Sequence, residues 1–412
     1  MAEFARLQLA VLLLGTFLLT VLLVPMTPTF WGLLAVQASC LVYQAWWIVP
    51  YTRLFPVEVK PARPDDPGRR LRIVTANVLT TNRNAAGLIG LVETHRPDIL
   101  VTLESDAWWQ NQLAPLERDY PHTIRHPLDN RYGMHVYSAL PLSECETTFL
   151  VEPGVPSMHA LVTLRSGQSV RVHFLHPAPP SPTENAESSE RDAELIVVAR
   201  SVAQADGPVV VTGDLNDVAW SATTRLFRKI SGLLDPRVGR GMFNTFHARH
   251  WYLRWPLDHL FHSAHFTLRH VERLPAFGSD HFPLLSELAL EPVRGAPQGA
   301  LEADADDRAW AREIASAEAV TPDDVPSPGE ATRRAVSPLD RRGRAGLQLV
   351  ERTDDLGPAA RIRRVAQLPI ATSPLRRSSA KTSHRDSVPP LPAPPATTPP
   401  ARGRHSSAAR AT

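Results

Sequence analysis

The sequence predicts an α/β domain over residues 71–290, preceded by two transmembrane helices and followed by a disordered tail. Three observations carry that expectation. Leu71 to Leu103 reads as strand, helix, strand, the unit of a parallel pair. Apolar runs such as Ile99–Leu103 and Pro208–Thr212 are typical of strands buried on both faces. Several such runs end in acceptors that suit a metal and a phosphate: Thr75-Ala76-Asn77-Val78, Leu103-Glu104-Ser105, Gly213-Asp214-Leu215-Asn216-Asp217, Pro256-Leu257-Asp258-His259 and Gly278-Ser279-Asp280-His281-Phe282. One acidic residue at a strand end means little, whereas several in this order look like one site assembled from many strands.

The elements follow in chain order. Residues 1–51 hold two uncharged apolar runs, Leu7–Val24 and Phe30–Val49, each just long enough to cross a hydrocarbon core. Pro25-Met26-Thr27-Pro28-Thr29 reads as the turn between them, and Trp31, Trp46, Trp47 and Tyr51 fall near the interfaces where amphipathic rings prefer to sit. A cleaved signal peptide is the alternative, and Val24-Pro25-Met26 is a poor cleavage site for it. Arg6 precedes the first run, and Arg53, Lys60, Arg63, Arg69 and Arg70 follow the second, which places both termini in the cytoplasm. If only one run spans, the rest of the chain changes sides. Residues 52–70 read as a Pro- and Arg-containing linker.

Within 71–290, Leu71–Asn77 alternates as a strand should, and Asn84 can cap a helix through about His95 that Arg96-Pro97-Asp98 stops. Strands are expected at Ile99–Leu103, Arg131–Leu140, His159–Leu164, Val170–Leu175, Pro208–Thr212, Leu257–His262, Phe266–Leu274 and Phe282–Leu290, and helices at Arg191–Ala205 and Ser221–Ile230. From residue 291 to 412 Pro, Ala, Ser and Arg dominate, with too little apolar surface to offset ordering entropy, so disorder is expected; Ala309–Val320 has the composition of one short helix. The basic end of the tail, from Arg361, suits anionic lipid or nucleic acid, and a merely solvated tail is the plainer reading.

Composition narrows the chemistry. Two cysteines, Cys40 in an apolar run and Cys145 beside acidic residues, make neither a disulfide framework nor a thiolate metal site. Residues 71–290 carry 19 Lys+Arg against 23 Asp+Glu, which argues against tight nonspecific nucleic-acid binding. Glu104, directly after a buried strand, reads either as an exposed loop acid or as a ligand for a hard cation such as magnesium. Asn77 reads as a turn residue or as a donor to phosphate or metal-bound water. Asp214 and Asn216 are two apart, so on extended backbone both face one way and can fix an attacking water; an Asx turn is the equal alternative. Asp280 can reach the metal, and His281 can donate to a phosphoryl oxygen with Asp258 holding it in one tautomer. His176, at the end of its strand, can donate to the leaving group, although a lone His is more often packed or exposed. His259, His262 and His265 recur every third position, which does not share one face of a strand, so a zinc site is disfavoured.

The set Asn77, Glu104, His176, Asp214/Asn216, Asp258 and Asp280/His281, in this order, resembles the endonuclease/exonuclease/phosphatase superfamily, the fold of pancreatic deoxyribonuclease. Gly213-Asp-Leu-Asn-Asp-Val-Ala-Trp220, Leu233-Leu-Asp-Pro-Arg237, Trp255-Pro-Leu-Asp-His259 and Gly278-Ser-Asp-His-Phe-Pro283 look like its bacterial membrane-anchored branch. The resemblance implies a four-layer α/β/β/α sandwich of two mixed sheets, and residence in a bacterial inner membrane. It implies a divalent cation, Mg2+ or Mn2+, on Glu104 with Asp280 and Asn77 nearby. It further implies a water oriented by Asp214 and Asn216, and a pentacovalent phosphorane stabilised by His281, Asp258 and His176. Many members have Ser-Arg where this chain has Ser138-Ala139, so Tyr137 or Arg131 is the candidate replacement, with Tyr137 equally readable as a strand core residue, and His159 is a candidate neighbour of the site.

The expected activity is a membrane-anchored, metal-dependent phosphoesterase, a phosphodiesterase before a monoesterase. The spans favour a lipid-linked substrate. A nuclease on DNA or RNA is the first rival, not indicated by charge. A catalytically silent membrane scaffold recruiting partners through its tail is the rival from another class.

Overall fold

Period-two alternation in Leu71–Asn77 is realised as strand β1 (Arg70–Asn77) of a computed structural model that describes residues 3–63, 66–179, 188–291 and 298–329. Asn84 caps helix α3 (Ala85–His95), its side chain accepting from Gly87 N at 3.0 Å. Arg96 in the left-handed region ends the helix, and β2 (Ile99–Leu103) returns parallel to β1. The register pairs Asn77 with Leu103, so the residue after β2, Glu104, emerges beside the last residue of β1. A second crossover repeats this plan. β7 (Ser169–Leu175) leads through α5 (Ser189–Val202) to β8 (Val209–Asp214), parallel to β7.

Two mixed sheets result. One has the order β10-β11-β1-β2-β4-β3, with β3 His122–His126, β4 Met134–Ser138, β10 Phe266–Arg273 and β11 Leu284–Leu290. The other has the order β5-β6-β7-β8-β9, with β5 Leu142–Thr148, β6 Ser157–Thr163 and β9 Asp258–His262. Ile73, Val101, Val136, Val162, Val172 and Val210 pack between the sheets. The outer face of the first sheet is covered by α3 and α4 (Ala107–Leu113) through Leu88, Val92, Trp109 and Leu113. The outer face of the second is covered by α5 and α6 (Ala222–Ser231) through Leu195, Val198 and Phe227. The order helix, sheet, sheet, helix is the four-layer sandwich expected from the resemblance.

The apolar runs at the N-terminus form helices α1 (Arg6–Leu23) and α2 (Pro28–Ile48), both long and apolar enough to cross a membrane. Their large side chains face outward, with Leu22 76% and Trp46 68% exposed. The linker is seated on the domain: Val59 is fully buried, Lys60 and Ala62 bond Leu268, and Glu58 pairs with the buried Arg228.

Three elements escape the sequence reading. Strands β3 and β5 lie at sheet edges, where one face meets solvent and polar residues break the apolar signal. Helix α4 is only seven residues long. The strand expected over Arg131–Leu140 shortens to β4. The short helix expected at Ala309–Val320 forms as α7 (Ala305–Ala317), starting four residues earlier, and packs on α5 and α6 through the small buried Ala311 and Ala315. Few large apolar side chains mark this helix, because an alanine face suffices for close packing. Residues 330–412, the rest of the expected disordered tail, lie outside the described residues.

Candidate active site

The two sheets meet at β1 and β8. Thr75 and Thr212 share a hydrogen bond of 2.8 Å across the inter-sheet gap, and Thr212 also donates to the His259 carbonyl at 2.9 Å. Side chains two residues on lie on the same faces. They are Asn77 and Asp214, and Asn77 Nδ2 donates to Asp214 Oδ2 at 3.1 Å. The same amide donates to Glu104 Oε1 at 2.9 Å, while its own oxygen accepts from Leu79 N at 3.0 Å. That last bond fixes the amide orientation and directs its NH2 at both carboxylates.

Gly213 makes the crossing possible. A Cβ there would lie 1.8 Å from the Leu175 carbonyl oxygen, so only glycine lets β7 and β8 close up at the site end. Glu104 has φ 57° and Asn216 φ 50°, both left-handed. Non-glycine residues in that region concentrate at functional sites, where the surroundings hold the strained backbone.

β8 pairs antiparallel with β9, and the register sets Asp214 opposite Asp258. Two buried carboxylates side by side repel each other. His281 relieves this: its Nδ1 lies 2.8 Å from Asp258 Oδ2 and its Nε2 3.5 Å from Asp214 Oδ2. Burial alone would push the imidazole pKa down, but Asp258 and then Asp214 outweigh burial and hold it up to about 10. Burial would raise the Asp214 pKa; His281 and His176 overcome it and leave that carboxyl below its ordinary value. The imidazolium is delivered by Ser279, which donates to the Asn77 carbonyl at 2.8 Å and accepts from His281 N at 3.1 Å. Phe246 packs on the other side of the ring, centroids 4.9 Å apart.

His176 is buried, its Nδ1 without a hydrogen-bond partner, and its ring lies 5.9 Å from that of Tyr132. Burial pushes its pKa down, with Asp214 and Glu104 opposing, so it sits beside both carboxylates as a neutral imidazole near neutral pH. Asp280 is half-buried, and its charge raises the Glu104 pKa, which burial has already raised. The eight expected residues therefore surround one locus at the ends of β1, β2, β7, β8 and β9.

Two open alternatives are decided and the outlying histidines are placed. Asp214 and Asn216 do not lie on extended backbone. The strand stops at Asp214, whose Oδ1 accepts from Asn216 N at 3.0 Å in an Asx turn, and the Asn216 amide donates to the Pro177 carbonyl at 2.9 Å. Tyr137 belongs to the core under α3 and α4, which removes it as a phosphate contact. His159 contacts Thr148 and His173 rather than any of the eight. His259 is enclosed by Arg237 and the Asp217 carbonyl, and His262 bonds Ser263. The sequence reading misses Tyr132, Phe246 and His247, the last close enough to Asp280 for its charge to act on the ring. They sit on irregular loops where no periodicity marks them.

The donors fit a divalent cation. Glu104 Oε2 is buried with no hydrogen-bond partner, a costly state that a cation relieves. The set is oxygen-rich and free of thiolate, as a hard ion such as magnesium or manganese requires. Asp214, Asp258 and His281 also bring one ligand-type atom each within 4.8 Å of one another. His281 already pairs with both carboxylates, so the Glu104 side is the better cation position.

Residues 74–281 match the Endonuclease/Exonuclease/phosphatase family. The chain belongs to that family. Members are hydrolases of phosphoester bonds, and they typically use divalent metals. No curated protein matches the chain. Three solved structures show partial likeness. A humanized Danio rerio TDP2 is 18% identical, covering 53% of this chain and 99% of that one, TM-score 0.45. An endonuclease/exonuclease/phosphatase from Beutenbergia cavernae is 20% identical, covering 54% and 72%, TM-score 0.43. The human Nocturnin catalytic domain with bound sulfate is 17% identical, covering 55% and 96%, TM-score 0.44.

Proposed function

We propose that residues 71–290 catalyse metal-dependent hydrolysis of a phosphodiester, and that α1 and α2 anchor them in a membrane. The main support is the hydrogen-bonded chain Glu104–Asn77–Asp214 joined to His281–Asp258, with one Glu104 oxygen buried and unsatisfied. Glu104 and Asp280 would hold Mg2+ or Mn2+, which when bound supplies Lewis-acid stabilisation of phosphoryl charge.

The chain's own groups do the rest. Asp214, kept ionised, aligns the attacking water and takes up its proton as the water oxygen bonds phosphorus and the bond from phosphorus to the leaving oxygen breaks, that oxygen being protonated from solvent. Asn216 turns the chain so that Asp214 is held by a backbone N–H. His281 keeps its proton at neutral pH, so it donates to the phosphoryl oxygen that gains charge rather than acting as base. Asp258 fixes that imidazole. His176 hydrogen-bonds the leaving oxygen. Asn77 holds the two carboxylates apart at a set distance, so its role is positioning rather than ligation. The apolar helices favour a lipid-linked substrate, and the acidic balance of the domain disfavours duplex DNA.

The test uses the full chain in detergent with magnesium or manganese, against bis-para-nitrophenyl phosphate, a phosphomonoester, plasmid DNA and phospholipid vesicles. Asp214→Asn and His281→Gln should each lower turnover about 10²–10⁴-fold while leaving the fold intact. Hydrolysis confined to plasmid DNA would move the assignment to a nuclease, and no hydrolysis by a folded, metal-loaded sample would favour a silent scaffold.

A further inference from the structure

Phe282, the residue after His281, carries two cations. The Arg273 guanidinium lies 4.3 Å from its ring centroid and that of Arg254 lies 5.2 Å away. Arg273 donates to the Asn244 carbonyl at 2.9 Å, and neither arginine has an ion-pair partner among the described residues. Arg254 Nε and Asn244 Oδ1 are buried without hydrogen-bond partners. Burial, and then the neighbouring Arg254 charge, lower the Arg273 pKa, so the pair is an uncompensated concentration of positive charge. Both arginines line a cleft of about 590 Å³. Glu272 also lines the cleft, its carboxylate 2.9 Å from His270 Nε2.

The cleft's remaining wall says what fills it. Leu7, the second residue of α1, lines it, and Gln8 donates to the Tyr252 carbonyl at 3.1 Å. Apolar sequence begins at Leu7, so a bilayer spanned by α1 has its surface at this level. Trp251, 79% exposed, and Tyr252, 55% exposed, stand beside it. These are the two residue types that prefer the headgroup interface. We propose that this cleft binds the phosphate headgroup of an anionic membrane lipid on Arg254 and Arg273, beside Trp251 and Tyr252. The proposal rests on the reading of α1 as a membrane span.

The test is native mass spectrometry of the full chain taken from mixed micelles of phosphatidylglycerol and phosphatidylcholine. Wild type should retain phosphatidylglycerol in preference. Arg254→Gln and Arg273→Gln should each lower that retention about fivefold, the ~1 kcal/mol carried by a basic side chain at an anionic surface. Arg254→Lys should restore part of the loss, and Arg118→Gln, far out in solvent, should change nothing. Equal retention of the two lipids, or retention indifferent to both Gln variants, overturns the site. Displacement of the lipid by inorganic phosphate would make it a soluble-anion pocket and overturn the lipid assignment. A carbonate wash of cell membranes from the same expression separates the two readings. A chain that washes out refutes the span, whereas one that stays without a lipid preference refutes the headgroup site alone.

Discussion

At the residue scale the site is organised by one histidine between two aspartates and one amide between two carboxylates. Asn77 spends both amide hydrogens on Glu104 and Asp214, so Asn77→Ala should release both acids. The half-saturating magnesium concentration for hydrolysis should then rise about 10–100-fold, as for other groups that orient metal ligands. An unchanged magnesium titration would count against the positioning role. Away from the site, Glu194 on α5 is fully buried against Ser157, which donates to it at 2.5 Å. Burial pushes its pKa up to about 7 from an ordinary 4.5. The folded state then binds a proton that the unfolded state has lost, so stability falls as pH rises from about 4.5 to about 7 and does not return. The loss is on the order of 3 kcal/mol. Glu194→Gln should flatten that window, and thermal melts at about pH 5 and about pH 8 would show it as a smaller drop than in wild type.

At the element scale the site depends on how closely neighbouring strands approach. Gly213→Ala drives a methyl into the Leu175 carbonyl, so β7 and β8 must part where Asp214 is presented. The cost should exceed about 4 kcal/mol, in the range reserved for backbone clashes and core overpacking, and should appear as lost soluble yield or a strongly lowered melting temperature. Central elements were legible in the sequence for the same reason that they matter. β1, β2, β7 and β8 are buried on both faces, and burial writes continuous apolar runs. β3 and β5 carry His-Thr-Ile-Arg-His and Leu-Ser-Glu-Cys-Glu-Thr-Thr, edge compositions without such a run. The site was legible by residue type and order, since Glu104 follows a strand, Asp214 ends one, Asp258 begins one and His281 comes shortly before β11. Its connectivity was not. The Asp214–Asp258 register and the Asn77 bridge arise from pairing between segments far apart in the chain, which local pattern does not encode.

At the scale of the whole molecule, the hairpin is pinned to the domain at both ends. Glu3 and Phe4 accept from the Trp220 and Trp255 indoles, and Tyr51 donates to the Ala219 carbonyl while its oxygen accepts from Arg228. The domain therefore sits at a set orientation on the hairpin, and if α1 and α2 span a membrane, one question of sidedness settles which compartment meets the site. Two native thiols answer it. Cys145 is exposed on the edge strand β5, and Cys40 lies within α2 with its side chain outward. The distribution of Lys and Arg about the spans predicts a cytoplasmic domain. A membrane-impermeant maleimide should then label Cys145 in inverted vesicles and spare it in intact cells. Cys40 should stay unlabelled from both sides, because hydrocarbon shields it. Running the same assay on Cys40→Ala assigns the signal to Cys145. Labelling of Cys145 in intact cells would put the site outside, and labelling of Cys40 from either side would remove α2 from the membrane.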